Sequence, residues 1–250
     1  MAITSSTRHR FVPGNIHRCA AALAERQVRL PNGRRQKEEI SMTQAPVMKV
    51  AVVVFDGFTA LDAYGPVEAF WACSPGQPVK CFECFTVGTS AGAAMSGEGI
   101  ATVAQYAFTD APAWDILLVP GGLGTRKLVD DQVFLNQLAA ASERSKITAT
   151  VCTGAALLAR TGLLDGRRAT SNKLAWDWVI QQGPKVLWQR HARWVDDQSI
   201  ITSSGVSSGI DMALGLIERL CGKHTATEAA RKMEYVWNQD PDDDPFSPAV

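Results

Sequence analysis

From Val47 onward the chain alternates short apolar runs with segments of helical spacing. "MKVAVVVF" is an unbroken, largely β-branched run, the pattern of a strand buried on both faces of a parallel sheet. "FECFTVG", "WDILLVPGG" and "SKITATVC" predict three further strands. Between the last two, "TRKLVDDQVFLNQLAAASERS" sets Leu128, Phe134, Leu135 and Leu138 on one helical face. After Cys152, "TGAALLARTGLL" predicts a helix closed by Gly162, and "LAWDWVIQQG" one closed by Gly183. "ARWVDDQSIITSSG" predicts two short strands around an Asp196-Asp197 turn, and "GIDMALGLIERLCG" and "TATEAARKMEY" predict two closing helices. Strands and helices in this alternation predict an α/β fold, a mostly parallel sheet between two helical layers. No internal repeat and no helix-turn-helix segment is visible.

Composition adds boundaries. A chain of 250 residues, 46% of them hydrophobic, is long enough for one well-buried core. One domain is expected over residues 47–237, with a basic leader at 1–46 and an acidic, proline-rich tail at 238–250 that lies over the surface or is disordered. Basic and acidic residues balance at 25 each, but residues 1–41 hold seven Arg, one Lys and three Glu, leaving 17 basic and 22 acidic for the rest. No basic excess therefore points to nucleic acid. The leader is rich in Arg and Ser/Thr and lacks Asp, which fits a mitochondrial transit peptide; the alternatives are a disordered extension, or Met42 as the working start. No stretch reaches the roughly 18 apolar residues of a membrane span. Six cysteines without a secretory leader predict reduced thiols and a cytoplasmic protein, or a mitochondrial one if the leader is a transit peptide. Cys81 and Cys84 form a C-x-x-C, but on a strand residues three apart face opposite ways, so these two, like Cys73 and Cys221, read as core.

Ligands of open α/β sheets bind beyond the carboxyl ends of the strands, and three polar or glycine-rich features fall there. Cys152 follows "ITATV", Gly121 and Gly122 follow "ILLVP", and Asp62 lies beyond "VAVVVF". A helix starting at Thr153 directs free N–H groups and its positive dipole end at the Cys152 sulfur, which favours thiolate and makes a nucleophile without a histidine. A backbone N–H of the Gly121-Gly122 turn, with that of Thr153, is expected to face negative charge developing on a substrate. Asp62 is either a buried proton carrier or the cap of a helix opened by Pro66. Cys152 is otherwise an inert small hydrophobe, and the glycine pair a turn requiring positive φ. His9 and His17 lie in the leader, His191 before a strand and His224 at a helix junction, so only spatial proximity of His191 leaves a route to a Cys-His triad. There is no Walker loop, dinucleotide fingerprint or metal-ligand motif. Trp176, Trp178, Trp188 and Trp194 read as core or interface.

"VPGG", "VCTGA" and "ALDAYGPVEAF", with "ATSNKLAWDWV" and "TSSGVSSGIDMALGLIERL", resemble the ThiJ/PfpI superfamily over residues 48–237. The resemblance implies a flavodoxin-like fold of the class I glutamine amidotransferase type, and a homodimer. Within it the chain is similar to the isonitrile hydratase branch, in Asp62 before the nucleophile and Thr153 after it. Histidine is absent both after the cysteine and in "TSNK", residues 170–173, where relatives with protease or glyoxalase activity carry it. The implied chemistry is attack of Cys152 on an isonitrile carbon and hydration to an N-substituted formamide. Asp62 is then the acid/base group, Thr153 and Gly122 position the intermediate, and no metal or organic cofactor takes part. Ser171, Asn172, Ser204 and Val206 are the expected pocket residues. The competing expectations are a ligand-binding regulatory domain like the sensor half of AraC-type regulators, a thiol stress sensor oxidised at Cys152, and a glyoxalase-like enzyme of 2-oxoaldehydes.

Overall fold

The computed structural model describes residues 26–29, 35–38, 47–74 and 80–247. The strands β1 (Arg26–Arg29) and β2 (Arg35–Glu38) pair antiparallel, so these two segments of the leader depart from an unstructured extension; the rest of the leader lies outside the described residues. Along the domain follow β3 (Met48–Val53), α1 (Ala60–Ala72), β4 (Phe82–Gly88), β5 (Gly92–Met95), β6 (Ala101–Ala104), β7 (Tyr106–Ala107) and β8 (Ile116–Val119). Next come α2 (Thr125–Leu128), α3 (Gln132–Glu143), β9 (Ile147–Thr150), α4 (Gly154–Arg160), β10 (Arg168–Ala169), α5 (Trp176–Gln182) and β11 (Leu187–Trp188). The domain closes with β12 (Trp194–Asp197), β13 (Ile200–Ser203), α6 (Ser208–Cys221) and α7 (Lys223–Lys232).

Seven strands form the central sheet in the order β12-β13-β9-β8-β3-β4-β7, every pair parallel except β12 with β13. Register sets apolar residues side by side: Val52 pairs with Leu118, and Leu118 with Ala149. All four residues of β8 and of β9 are buried, because helices cover both faces. Helices α1, α6 and α7 pack together as one layer, and α2, α3, α4 and α5 as the other. The expected three-layer α/β/α sandwich is thus the fold.

Several local expectations need correction. Thr59, not a residue beside Pro66, precedes α1, and Pro66 lies inside the helix. Asp62 is in the first turn and its side chain caps nothing there. The single helix expected after Gly122 is two, because the Asp131 carboxylate accepts hydrogen bonds from Val133 N and Phe134 N, both at 3.0 Å, and starts α3 afresh. Asp196 and Asp197 belong to β12, and the turn falls one step later at Gln198, whose φ is 68°. The antiparallel pair β5–β6 was not legible at all, since "GAAM" and "ATVA" carry little of the β-branched signal.

Candidate active site

Cys152 sits between β9 and α4 with φ 58°, 6% exposed. A non-glycine residue in this left-handed region is strained, and its neighbours hold it there. Cys152 N donates to Ser204 O at 2.9 Å, Val151 N to Val119 O at 3.0 Å, and the Ser171 hydroxyl to Cys152 O at 2.6 Å. Gly154 opens α4 because a Cβ there would stand 2.4 Å from Val119 O. The outcome is a sharp strand-to-helix elbow that pushes the sulfur past the end of the sheet.

Asp62 meets it from α1. Its side chain is fully buried, and Oδ2 accepts from Gly121 N at 2.9 Å. Thr59 N donates to Gly121 O at 2.9 Å, so the start of α1 is stitched to the glycine turn from both sides. Asp62 Oδ1 is buried without a well-aligned partner, and the Cys152 thiol is the neighbouring donor felt at the carboxyl. Burial pushes the carboxyl up to about 7, against the lowering effects of Gly121 N–H and the thiol; the negative charge of Glu98 adds to the rise. Glu98 itself lies in the loop between β5 and β6 and accepts from Ala60 N at 3.1 Å, fixing the first turn of α1.

Three donors favour charge on the sulfur: Thr153 N–H, Val206 N–H and the Asn172 side chain. Asn172 Oδ1 accepts from Ala175 N at 2.9 Å, which leaves its NH₂ for the sulfur. Val206 has φ 40°, and Gly205 before it has no room for a Cβ, which would fall 2.5 Å from Asn172 Nδ2. Despite these donors the thiol is pushed up to about 12, by burial first and by the Asp62 charge second. The expectation of a resting thiolate made by the helix end is therefore corrected. Removal from water outweighs the N–H groups of a helix of seven residues.

The glycine turn also works differently from its expected part. Gly121 N–H is committed to Asp62, and Gly122 N–H to Thr153 Oγ1 at 3.0 Å. These amides orient the Asp62 carboxyl and the Thr153 hydroxyl, and the backbone N–H groups that act on the Cys152 sulfur are those of Thr153 and Val206. Thr125, which the sequence did not single out, places Oγ1 2.7 Å from Gly122 O and 3.1 Å from Thr153 Oγ1. Next to it, the Arg126 guanidinium lies 3.3 Å over the Trp178 ring, joining α2 to α5, and it responds to charge on Cys152. All four expected pocket residues meet the elbow: Ser171 and Ser204 through its backbone, Asn172 and Val206 at its sulfur.

Neither described histidine is among the groups acting on Cys152. His191 is exposed with Nδ1 3.1 Å from Ser247 Oγ, and His224 lies on α7. Among the described residues no cluster of His, Cys, Asp or Glu is arranged to hold a metal ion, and no helix is long and apolar enough to cross a membrane. Trp176 and Trp194 are buried, with Trp178 and Trp188 packed against the core. A cleft of about 790 Å³, lined by Phe55, Asp56, Leu123, Lys127, Leu128 and Phe134 among others, includes none of Gly121, Gly122, Cys152 and Asp62 in its lining.

A cysteine on a strained elbow, facing a buried carboxyl at the carboxyl ends of a parallel sheet, defines an α/β protein with a cysteine-carboxyl site. Residues 48–219 match the DJ-1/PfpI family, and the chain belongs to it. It is 29% identical to isonitrile hydratase of Pseudomonas putida over 189 residues, 76% of this chain and 79% of that one. It is 24% identical to the HTH-type transcriptional regulator GbdR of Pseudomonas aeruginosa, over 74% of this chain but only 50% of the regulator. A solved ThiJ/PfpI family protein from Pseudomonas syringae shares 28% identity at a TM-score of 0.68, covering 82% of this chain and 80% of its own.

Proposed function

We propose that this protein hydrates isonitriles to N-substituted formamides, with Cys152 as nucleophile and Asp62 as proton carrier. The observation that carries the reading is the pairing of a buried thiol with a carboxyl raised to about 7, with no histidine acting on either. The likeness to the Pseudomonas putida hydratase supports the same substrate class. In the reactive state the pair holds one proton, on sulfur, with Asp62 ionised. As sulfur attacks the terminal carbon of R–N≡C, its proton passes to Asp62 and on to that carbon, leaving the thioimidate R–N=CH–S–Cys152. Water adds to the CH carbon, giving one proton to Asp62. Collapse transfers a proton to nitrogen, breaks the C–S bond and releases R–NH–CHO, with the sulfur reprotonated. Thr153 N–H, Val206 N–H and Asn172 hold charge on the sulfur as it attacks and leaves, and Gly122 fixes Thr153. The sequence of steps is redox-neutral and calls for no metal or organic cofactor.

The protein is read as a cytoplasmic homodimer acting on a small molecule, with no nucleic acid partner. Leu61, Tyr64, Met95, Ile100 and Val103, exposed on α1 and the β5–β6 segment, supply an apolar face that supports self-association. The test is formamide formation from an aryl isonitrile by the full chain, beside Cys152→Ala and Asp62→Asn. Turnover lost in both variants supports the reading. No turnover by the unmodified protein, with lactate formed from methylglyoxal instead, replaces it with the glyoxalase-like one.

A further inference from the structure

Away from the reacting groups, four charged side chains form a buried cluster. Lys173 is 5% exposed in its side chain, Arg193 6%, Asp211 1% and Asp244 not at all. Arg193 Nε and Nη2 both lie 2.7 Å from Asp211 Oδ2. Asp244 stands between the two cations, Oδ1 3.5 Å from Arg193 Nη1 and Oδ2 3.4 Å from Lys173 Nζ. Two cations meet two anions, and one of the anions comes from the C-terminal segment. Burial already holds Lys173 down to about 8 against the raising effect of Asp244, so without Asp244 the cluster would either carry an uncompensated positive charge or lose the Lys173 proton.

That segment is strapped down by its backbone as well. Asn238 N donates to Asp211 Oδ1 at 3.0 Å, Arg193 N to Pro241 O at 2.7 Å, and Asp244 N to His191 O at 3.0 Å. It follows residue 219, where the match to the family ends. What it grips leads to the nucleophile by two short routes. Lys173 Nζ donates to Thr170 Oγ1 and Ala192 O, each at 2.8 Å, and to Ser171 O at 3.2 Å. Ser171 holds the Cys152 carbonyl, and Asn172, between Ser171 and Lys173, supplies a donor to the sulfur. By the second route Arg193 O accepts from Ser204 N at 2.8 Å, and Ser204 O accepts from Cys152 N at 2.9 Å.

We infer that Asp244 is a positioning residue for Cys152: by neutralising Lys173 and Arg193 it clamps loop 170–173 and strand β12, and through them the donors that serve the sulfur. The C-terminal segment is then a working part of the site. The inference holds for any substrate that Cys152 attacks, so its test reads the sulfur directly and stands apart from the isonitrile assay.

The test is the rate of Cys152 alkylation by iodoacetamide from pH 7 to 10 in the full chain, with site occupancy followed by mass spectrometry and melting temperature measured in parallel. Asp244→Asn keeps the shape and removes the charge. Its Cys152 should alkylate more slowly at a given pH, by roughly tenfold for a donor lost from an ionised sulfur, with the pH profile displaced upward. Asp196→Asn is the control for stability alone, because it removes the surface ion pair of Asp196 with Arg219 at 2.6 Å and should leave the profile in place. If Asp244→Asn does not fold, Lys173→Met combined with it removes both charges and relieves the buried cation. The double variant should regain its melting temperature but not its alkylation rate, since the Lys173 bonds to loop 170–173 are gone. A folded Asp244→Asn or double variant that alkylates like the unmodified protein would overturn the inference. So would a slowing matched by Asp196→Asn at equal loss of melting temperature.

Discussion

Asp62→Asn separates the proton-carrying role proposed for the carboxyl from any role in holding the fold together. The folded carboxyl titrates at about 7 against an ordinary 3.8, so the native state binds a proton more tightly than the unfolded chain does. The sign follows from linkage: the stabilisation from protonated Asp62 is complete below pH 3.8, declines as pH rises, and is gone once pH passes about 7. A carboxyl raised from 3.8 to about 7 corresponds to about 4 kcal/mol, at roughly 1.36 kcal/mol for each tenfold change in proton affinity. Asparagine stays neutral throughout and keeps an oxygen for Gly121 N–H. Urea unfolding should therefore show the variant gaining on the unmodified protein by a few kcal/mol between pH 5 and pH 8.5, with most of the difference appearing before pH 7.5.

Turnover should move the opposite way. With Asp62 as acceptor of the thiol proton, kcat/KM of the unmodified protein falls about tenfold per pH unit below the carboxyl's titration and is level above it. In Asp62→Asn that acidic limb at about 7 disappears and the rate at pH 8 drops by roughly 10² to 10⁴, the usual worth of a positioned base. What remains climbs with pH as the thiol ionises unaided. A limb near pH 7 that survives in the variant, or a variant less stable than the parent at pH 8.5, would refute the placement of the proton on Asp62.

Three further outcomes are expected. Glu98→Gln removes a negative charge that raises Asp62 yet keeps an acceptor for Ala60 N, so the acidic limb of kcat/KM should move to lower pH with the melting temperature little changed. Thr153→Val removes the hydroxyl that accepts from Gly122 N and lies beside Thr125 Oγ1, and should lower kcat by roughly tenfold while Thr153→Ser retains most of it, measured by steady-state formamide formation. Gly154→Ala forces a Cβ to within 2.4 Å of Val119 O and 2.9 Å of Pro120 O, both backbone atoms that cannot swing aside, so thermal melting should show a loss on the order of 2–4 kcal/mol.

What the sequence disclosed and what it withheld divide along a physical line. The strands β3, β8 and β9 are legible because burial on both faces demands continuous apolar runs, and a run can be read without knowing its partners. The elbow at Cys152 is legible for a similar reason: an apolar strand stopping at a cysteine, followed by Thr153, Gly154 and Ala155, is a local pattern. The pairing of Asp62 with Gly121 N spans 59 residues, and nothing near Asp62 distinguishes a carboxylate that caps its own helix from one that reaches across to another turn. Ionisation is less local still. The N–H donors at the sulfur follow in part from the helix start at Gly154, but the burial that overcomes them is contributed by every element packed around the elbow. A sequence therefore exposes what would stabilise a thiolate and hides what opposes it. With the opposing effect larger, a reactive Cys152 needs an acceptor for its proton within the same buried space, and Asp62, titrating near neutral pH with Oδ1 unpaired, is the group so placed. The raised carboxyl and the raised thiol are thus one feature of the site: the burial that keeps sulfur protonated at rest also makes Asp62 basic enough to take that proton in the proposed attack.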